Sequence, residues 1–217
     1  MTTRTRLALI CKGVLVLLTA YAWGQMILRA GGVLSSTGLR SLRYFTVLSN
    51  LLCGISAFIH LIVLLAKGTA PVRILRLSYV AAAAVGVTLM VVLLFLGPLY
   101  GYGAMLQGAN LWFHLVIPLL AVLDHWLLEP GRERSRREIP LAVIPTVLYG
   151  VCYLANILLN GVGEWPDTND WYLFFHWGTP VGLGIFAGII ALNLGIAAAL
   201  RALRRSRERR RTCRESA

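Results

Sequence analysis

The sequence predicts an all-α integral membrane protein, folded as a bundle of six transmembrane helices. The chain of 217 residues is 58% hydrophobic and only 14% charged, whereas a soluble domain carries about 25% charged residues. Its apolar residues form six long runs separated by short polar connectors. A bilayer core needs about 20 apolar residues per helix. Each run must be helical because an open strand would leave backbone polar groups without hydrogen bonds in lipid.

Six predicted spans follow one another along the chain, and together they make one membrane domain over residues 1–217. The first run is too long for the apolar core of a secretory signal, and no small-residue cleavage motif follows it, so we interpret it as a retained span. The predicted bounds are 7–29, 42–66, 74–97, 110–128, 139–160 and 178–200, and a basic tail occupies 201–217.

Basic residues mark one side of the membrane. Of the 21 Lys and Arg residues, 18 lie around the start of the first span, after the second and fourth spans, or after the sixth. Lys12 is counted here among the residues that flank the first span. With an even number of spans these four places share one side, and an excess of Lys and Arg marks the cytoplasmic side. We therefore expect a multi-pass protein of the cell membrane with both termini in the cytoplasm.

The placement of these charges also predicts the partners. A net charge of +12 would suggest nucleic acid in a soluble protein, but here the basic residues flank membrane spans, so we expect no nucleic acid. Membrane lipids are the predicted partners, with anionic headgroups at the basic tail. Cysteines 11, 53 and 152 lie inside apolar runs without metal-binding or disulfide spacing, and no cofactor or metal is predicted.

Polar residues gather in the outer half of the predicted bundle. Thr46, Ser49 and Asn50 are spaced i, i+3 and i+4, which places them on one face of the second span. At ~1.5 Å per residue, Thr46 and His114 both lie about 6 Å below the outer boundary. Asn156 and His176 are predicted at a similar level. This distribution predicts a polar pocket that opens toward the outer leaflet.

His114 precedes Pro118 by four positions. A proline removes the hydrogen bond to the carbonyl four residues back, so we expect the fourth span to be weakened and kinked at His114. An ionisable residue within a span is costly and is a functional candidate by default. His114 is therefore the first candidate for a reactive group.

Each of these residues also has a structural interpretation. Thr46 could bond the carbonyl of Leu42, and Ser49 and Asn50 could join neighbouring helices. His60 is interpreted as structural, and Asp124 and His125 either as functional or as wet residues of the inner interface. The aromatic stretch WYLFFHW, residues 171–177, reads as an interfacial belt or as a lid over the outer pocket.

Two motifs resemble a known group of proteins. "RYFTVLSNLL" followed by "WFHLVIPLLAVLDHWLL" resembles the bacterial Pr-six-Pr family of multi-pass membrane proteins, and is similar to the eukaryotic androgen-induced-gene family of intramembrane hydrolases. The resemblance implies six spans and a threonine hydrolase of lipid esters, such as fatty-acid esters of hydroxy fatty acids. By motif, the nucleophile falls on Thr46 and the assisting histidine on His114.

The residue types fit this chemistry. A hydroxyl becomes a useful nucleophile when a base within about 2.6–3.2 Å takes its proton, so we expect Thr46 and His114 to face each other. Ser49, Asn50, Asn156 and His176 are candidates for the polar pocket, and Asn50 or Asn156 could donate to a developing oxyanion. Two alternatives stay open: a protein that binds or transports a lipid or small amphiphile without reaction, and a structural membrane subunit.

Overall fold

Six long helices make up the molecule. The computed structural model describes residues 3–29, 34–129, 135–164 and 167–215, the last seven of them by their backbone alone. Within these ranges every regular element is helical, and six helices are long and apolar enough to span a membrane. They are α1 (Thr3–Leu28), α2 (Phe45–Lys67), α3 (Val72–Tyr100), α4 (Ala109–Leu127), α5 (Ile139–Asn160) and α6 (Thr179–Glu215). Short helical turns precede α2 (Gly38–Arg43), α4 (Tyr102–Met105) and α5 (Arg136–Glu138).

The predicted six-helix bundle is confirmed, and most helix bounds agree within a few residues. The exception is α6, which continues to Glu215, well past the predicted end at residue 200. Eight of the residues after position 200 are Arg, which is a strong helix former. The predicted basic tail is therefore a continuation of α6 as far as the structure describes it. Arg132 and Arg134 of the predicted basic loop lie outside the described residues.

The centre of the bundle is α3, which packs against α2, α4, α5 and α6. Its middle consists of small residues, and Ala83 and Ala84 have no exposed surface. A Cβ atom on Gly86 would lie only 2.9 Å from Cγ2 of Ile196 in α6. Helices in lipid associate through van der Waals packing and hydrogen bonds rather than through the hydrophobic effect. Small residues on α3 therefore let four neighbours approach it closely.

The outside of the bundle is apolar. Large aliphatic side chains are exposed on several helices, for example Leu17 at 71%, Leu65 at 67% and Leu159 at 83%. Apolar surface on this scale marks contact with a membrane or with another protein. Apolar surface on the outside of a bundle of six span-length helices is what we expect of a protein surrounded by lipid.

The N-terminus of α1, the C-terminus of α4 and the C-terminal part of α6 meet at one end of the bundle. Arg4 donates from Nε to the carbonyl of Leu128 at 3.2 Å, and Arg207 donates from Nη1 to the carbonyl of Trp126 at 2.9 Å. We call this the terminal end, because α1 begins there and the C-terminal part of α6 lies there. The opposite end, where α2 and α6 begin, is called the distal end.

Candidate functional site

A largely apolar cavity lies toward the distal end, between α2, α3, α5, α6 and the segment that precedes α6. Its volume is about 570 Å³, including the part that is open to the outside. The polar side chains on its wall belong to Thr46, Thr88, Thr146, Tyr149 and Tyr172. We call it the distal cavity.

Thr46 reaches the distal cavity from the first turn of α2. Backbone N–H groups in the first turn of a helix have no partner within the helix, and the N–H of Phe45 donates instead to the hydroxyl of Tyr172 at 3.0 Å. The side chain of Thr46 also shares a hydrogen bond with Tyr172. Two hydroxyl groups, Thr46 Oγ1 and the Tyr172 hydroxyl, therefore lie together on the cavity wall.

Tyr172 keeps its proton at neutral pH. Burial raises the pKa of Tyr172 to about 12, against the opposing effect of hydrogen bonds from Tyr149 and from the start of α2. A phenol with that pKa stays neutral and can donate a hydrogen bond to an oxygen atom of a ligand. Tyr172 was not among the residues singled out in the sequence, where it was part of an aromatic stretch.

His114 lies in a π turn of α4, Trp112–Val116, rather than in regular α-helix. Such turns are often found at functional sites. The side chain of His114 is 4% exposed, and its Nδ1 atom is 2.8 Å from the carbonyl oxygen of Met105. A carbonyl only accepts, so Nδ1 carries the proton and Nε2 of the neutral ring holds the lone pair. The imidazole is thus oriented with Nε2 as its basic nitrogen.

The predicted irregularity next to Pro118 is present, but it is shifted by one residue from the predicted position. In the π turn the N–H of Ile117 bonds the carbonyl of Trp112, five residues back. By the same spacing, the carbonyl that Pro118 leaves without a partner is that of Phe113, not that of His114. Asn50 of α2 donates from Nδ2 to this carbonyl at 3.0 Å.

Asn50 therefore connects the two parts of the predicted site. Its Nδ2 atom also donates to the carbonyl of Thr46 at 2.7 Å, so both amide hydrogens are engaged by backbone carbonyls. An amide in this state has no hydrogen left for an oxyanion. The contact ties the first turn of α2 to the π turn that holds His114.

Replacement of Asn50 by Ala is expected to lower the free energy of unfolding by about 1–3 kcal/mol, since the buried carbonyl of Phe113 loses the donor that Asn50 supplies. The carbonyl of Thr46 keeps the hydroxyl of Ser49 as a donor. Asn160→Ala is the matched control, because Asn160 is an exposed asparagine near the end of α5 whose loss should have little effect. The measurement is the unfolding midpoint of each purified variant in detergent micelles. Equal midpoints for the two variants would show that the contact between α2 and α4 contributes nothing.

The other predicted residues have separate partners. Ser49 bonds Thr88 of α3 at 3.0 Å, which is the interhelical role that one interpretation gave it. Asn156 donates to Asn169 at 3.1 Å and accepts from Asn160 at 2.9 Å. His176 is exposed. Neither Asn156 nor His176 belongs to the wall of the distal cavity.

Thr46 and His114 are not in direct hydrogen-bond contact among the residues that the structure describes. Asn50 forms a polar link between their segments. His114 is also not part of the cavity wall. The expectation that the two side chains face each other stays a prediction.

An aromatic segment, residues 171–175, covers one side of the distal cavity. Asp170, which is 1% exposed, holds this segment in place. Its carboxylate accepts from the hydroxyl of Tyr153 and from the backbone N–H groups of Phe174 at 2.9 Å and Phe175 at 2.8 Å. Tyr172 and Phe174 then contribute to the cavity wall, which agrees with the lid interpretation of this stretch.

A second set of polar residues lies toward the terminal end, and sequence reasoning missed it. Lys12 does not flank α1 but lies inside it, where it forms an ion pair with Asp124 and lies 3.6 Å from Glu129. Glu129 also contacts His125 at 2.9 Å and Arg204 at 3.1 Å. Each of these five side chains is at most 4% exposed. We call them the inner ion cluster.

The position of Lys12 carried a signal of this cluster. A lysine within the apolar run LALICKGVLVLL cannot be solvated by water at that depth, and intramembrane charges usually pair with one another. Asp124 was the natural partner, since it is an acidic residue inside another span. The wet-interface interpretation of Asp124 and His125 is wrong, because both are buried.

No protein-family model, no curated protein and no solved structure matches this chain.

Proposed function

We propose that this protein is an intramembrane hydrolase of lipid esters, with Thr46 as the nucleophile and His114 as the base. The observation that carries the proposal is the position of Thr46, a hydroxyl on the wall of an otherwise mostly apolar cavity. In the proposed complex an acyl chain contacts the apolar residues of the cavity wall, and the ester group lies beside Thr46 and Tyr172. The class of substrate is a long-chain ester, such as a fatty-acid ester of a hydroxy fatty acid.

The proposed reaction has two steps. Thr46 Oγ1 attacks the ester carbonyl carbon while its proton passes to Nε2 of His114. The tetrahedral intermediate then expels the alcohol, which takes that proton, and an acyl-threonine remains. In the second step His114 takes a proton from a water molecule, whose oxygen attacks the acyl carbon. The second tetrahedral intermediate releases the carboxylic acid as the bond to Thr46 Oγ1 breaks, and His114 returns the proton to Thr46 Oγ1. The Tyr172 hydroxyl is the candidate donor to the oxyanion.

Two features of His114 support its role as the base. Its proton is held on Nδ1 by the carbonyl of Met105, which leaves Nε2 as acceptor. Its π turn is joined to the start of α2 through Asn50. In the reactive complex Nε2 must come within about 2.6–3.2 Å of Thr46 Oγ1, and such contacts are often longer before substrate binds.

The proposed location is the cell membrane, with both termini in the cytoplasm and the distal cavity in the outer leaflet. The distribution of Lys and Arg supports this orientation. The basic residues after position 200 then face anionic headgroups of the inner leaflet. The proposal involves no nucleic acid.

Thr46→Ala and His114→Gln are each expected to lower the turnover of long-chain esters by at least about 10³-fold, because the nucleophile or its base is removed. The double variant should lose no more than either single variant, since the two groups act as a unit. Thr88→Val is the matched control, because it removes another threonine hydroxyl from the wall of the same cavity. The assay uses purified protein in detergent with fatty-acid esters of hydroxy fatty acids of several chain lengths.

A second candidate function is binding of a lipid or another amphiphile without reaction. It is favoured by one observation, that His114 is not on the cavity wall. It predicts that the wild type binds a fluorescent fatty acid but hydrolyses no ester, and that Thr46→Ala leaves binding unchanged. Ile189→Trp, which fills the cavity, should lower the binding in either case. Turnover that is equal in the wild type, Thr46→Ala and His114→Gln would contradict the hydrolase.

A further inference from the structure

The inner ion cluster has no role in the proposed hydrolysis. Lys12 of α1, Asp124 of α4 and Arg204 of α6 come from three different helices, and Glu129 lies just past the end of α4. Buried charges cost several kcal/mol each unless they are paired. Two cations and two carboxylates balance one another here when His125 is neutral. The same charges within a membrane commonly mark proton or ion pathways.

A small void borders this cluster on the side of α2 and α3. Its wall includes Lys12 and Asp124, the hydroxyl groups of Ser56 and Ser78, and the thiol of Cys53. The void has room for about one water molecule, and its polar wall offers the two to four partners that a buried water needs. A single water is therefore the occupant that fits it.

Asp124, on the wall of this void, has a buried oxygen, Oδ1, without a geometrically defined hydrogen bond in the described part of the chain, although the thiol of Cys11 lies beside its carboxylate. Nε2 of His60 is likewise buried without such a bond in the described residues. The other ring nitrogen of His60 lies 3.0 Å from Oγ of Ser78, and Ser56 Oγ lies 3.5 Å from the same atom. Buried polar atoms without a protein partner are usually bonded to ordered water. A water in the void can donate to Oδ1 of Asp124 and bond the serine hydroxyls at the same time.

We propose that Asp124, one water molecule, Ser78 and His60 form a proton-binding site within the membrane. The bound species is a proton on the Asp124 carboxylate, which is hydrogen-bonded through the water to the Ser78 hydroxyl and from there to the imidazole of His60. When the proton is on Asp124, the carboxyl is neutral and its charge attraction to Lys12 is lost. Lys12 then keeps Glu129, 3.6 Å away, as its acidic partner.

Several groups surround Asp124 and influence its proton occupancy. They come from the helices that pack around the void or the cluster. The titratable or charged groups are Lys12 and Cys11 of α1, Cys53 of α2, Tyr79 of α3, His125 of α4, Glu129 just after α4, and Arg204 of α6. The ring of Tyr79 packs against the ring of His125. The Lys12 ammonium opposes protonation of Asp124, and the Glu129 carboxylate favours it.

The proton exchanges with the terminal end of the bundle and not with the distal cavity. Beyond Lys12 and Asp124 the interior is filled by the apolar side chains of Leu15, Phe113, Ile117 and Ala121, all at most 4% exposed. Glu129, in contrast, lies where α4 has ended and where Arg4 and Arg207 contact the last carbonyls of that helix. The site therefore binds and releases a proton on one side and does not conduct it across the membrane.

The test is infrared difference spectroscopy of the full-length protein in lipid nanodiscs, recorded as the pH is lowered. We expect the carbonyl stretch of a neutral, buried carboxylic acid, which shifts in deuterated buffer and in protein labelled with ¹³C-aspartate. It should be lost in Asp124→Asn and kept in Asp167→Asn, the exposed control. Ser78→Ala should keep the band and move its midpoint by about one pH unit, which is a tenfold change in proton affinity.

A second measurement follows the infrared band of the bound water molecule. An O–H stretch that shifts in H₂¹⁸O buffer is expected in the wild type and should be changed in Ser78→Ala. The proposal is overturned if no neutral-acid band forms at any pH at which the protein stays folded, since the cluster is then a fixed ion pair. It is also overturned if the band lacks the aspartate label shift.

The label alone does not separate Asp124 from Asp170, which is also buried, so the band is assigned by its loss in Asp124→Asn. Asp124→Glu keeps a carboxylic acid at the site and should keep a band that no longer shifts with the aspartate label. A band that still shifts with the label in Asp124→Glu would overturn the assignment, and ester turnover plays no part in this test.

Discussion

Replacement of Lys12 by Met is expected to lower the free energy of unfolding by about 3–5 kcal/mol, the cost of breaking one side of a buried ion pair. The reason is the carboxylate that remains, because Asp124 is 3% exposed and has lost the ammonium group that balanced its charge. Methionine has nearly the length of the lysine stem, so lost packing contributes little. The measurement is unfolding of the purified protein in mixed micelles with increasing denaturant.

Two further variants make this expectation specific. Lys12→Met combined with Asp124→Leu should recover most of the loss, since removal of both charges leaves no uncompensated ion. Arg40→Met breaks the ion pair between Arg40 and Asp167, and the side chains of these two residues are 77% and 78% exposed. This variant should leave the unfolding midpoint unchanged. If the double variant is no more stable than Lys12→Met, the loss comes from packing and the ion pair is not its cause.

Replacement of Asp170 by Ala is expected to release the aromatic segment that covers the distal cavity. Three donors lose their common acceptor, the Tyr153 hydroxyl and the N–H groups of Phe174 and Phe175. Hydrogen bonds to a charged group contribute about 1.5–3 kcal/mol each. We expect the amides of Phe174 and Phe175 to exchange with deuterium at least about 10²-fold faster, since each 1.4 kcal/mol is a factor of ten.

The control for this prediction lies in the same loop. Asp167→Ala removes an exposed carboxylate, and the two phenylalanine amides should then exchange as in the wild type. Asp170→Asn keeps an oxygen acceptor without the charge and should give an intermediate rate. Exchange rates that are the same in all three variants would mean that ring packing of Tyr153, Tyr172 and Phe174 holds the segment without help from Asp170.

The six helices could be predicted because lipid leaves the backbone few choices. The backbone of about 20 apolar residues in a bilayer has to form its hydrogen bonds within the segment. The lengths of the apolar runs and the positions of the polar connectors were therefore enough to predict the six helices. The end of α6 could not be predicted in this way. Beyond residue 200 the thickness of the membrane no longer determines the length of the helix. The helix continues to Glu215 because the residues there have a high helix propensity.

Only part of the candidate site followed from the sequence. The spacing of Thr46, Ser49 and Asn50 correctly predicted one helix face, but which neighbour each residue meets depends on tertiary packing. Asn50 meets the carbonyl of Phe113 only because α4 forms a π turn ahead of Pro118. Composition cannot give that one-residue shift, and it also cannot give the contact of Tyr172 with the start of α2.

Lys12 illustrates the opposite error, in which a correct general rule was applied to the wrong residue. Lysines near the start of a first span commonly mark the cytoplasmic boundary, and Lys12 was assigned to that group. The helix begins at Thr3, so Lys12 lies about 13 Å along it. Its charge serves helix packing instead of topology.

The pairing of Lys12 with Asp124 sets an order for the assembly of the protein during its synthesis. The two residues are 112 positions apart, so the ribosome completes two further helices, α2 and α3, and most of α4 before the partner of Lys12 exists. Until then α1 carries a single cation, and a lysine at the centre of an inserting helix costs about 2.5–3.5 kcal/mol. We therefore expect the charge of Lys12 in α1 to be compensated only when α4 has entered the membrane. Stable integration of the N-terminal half of the chain then depends on translation of the C-terminal half.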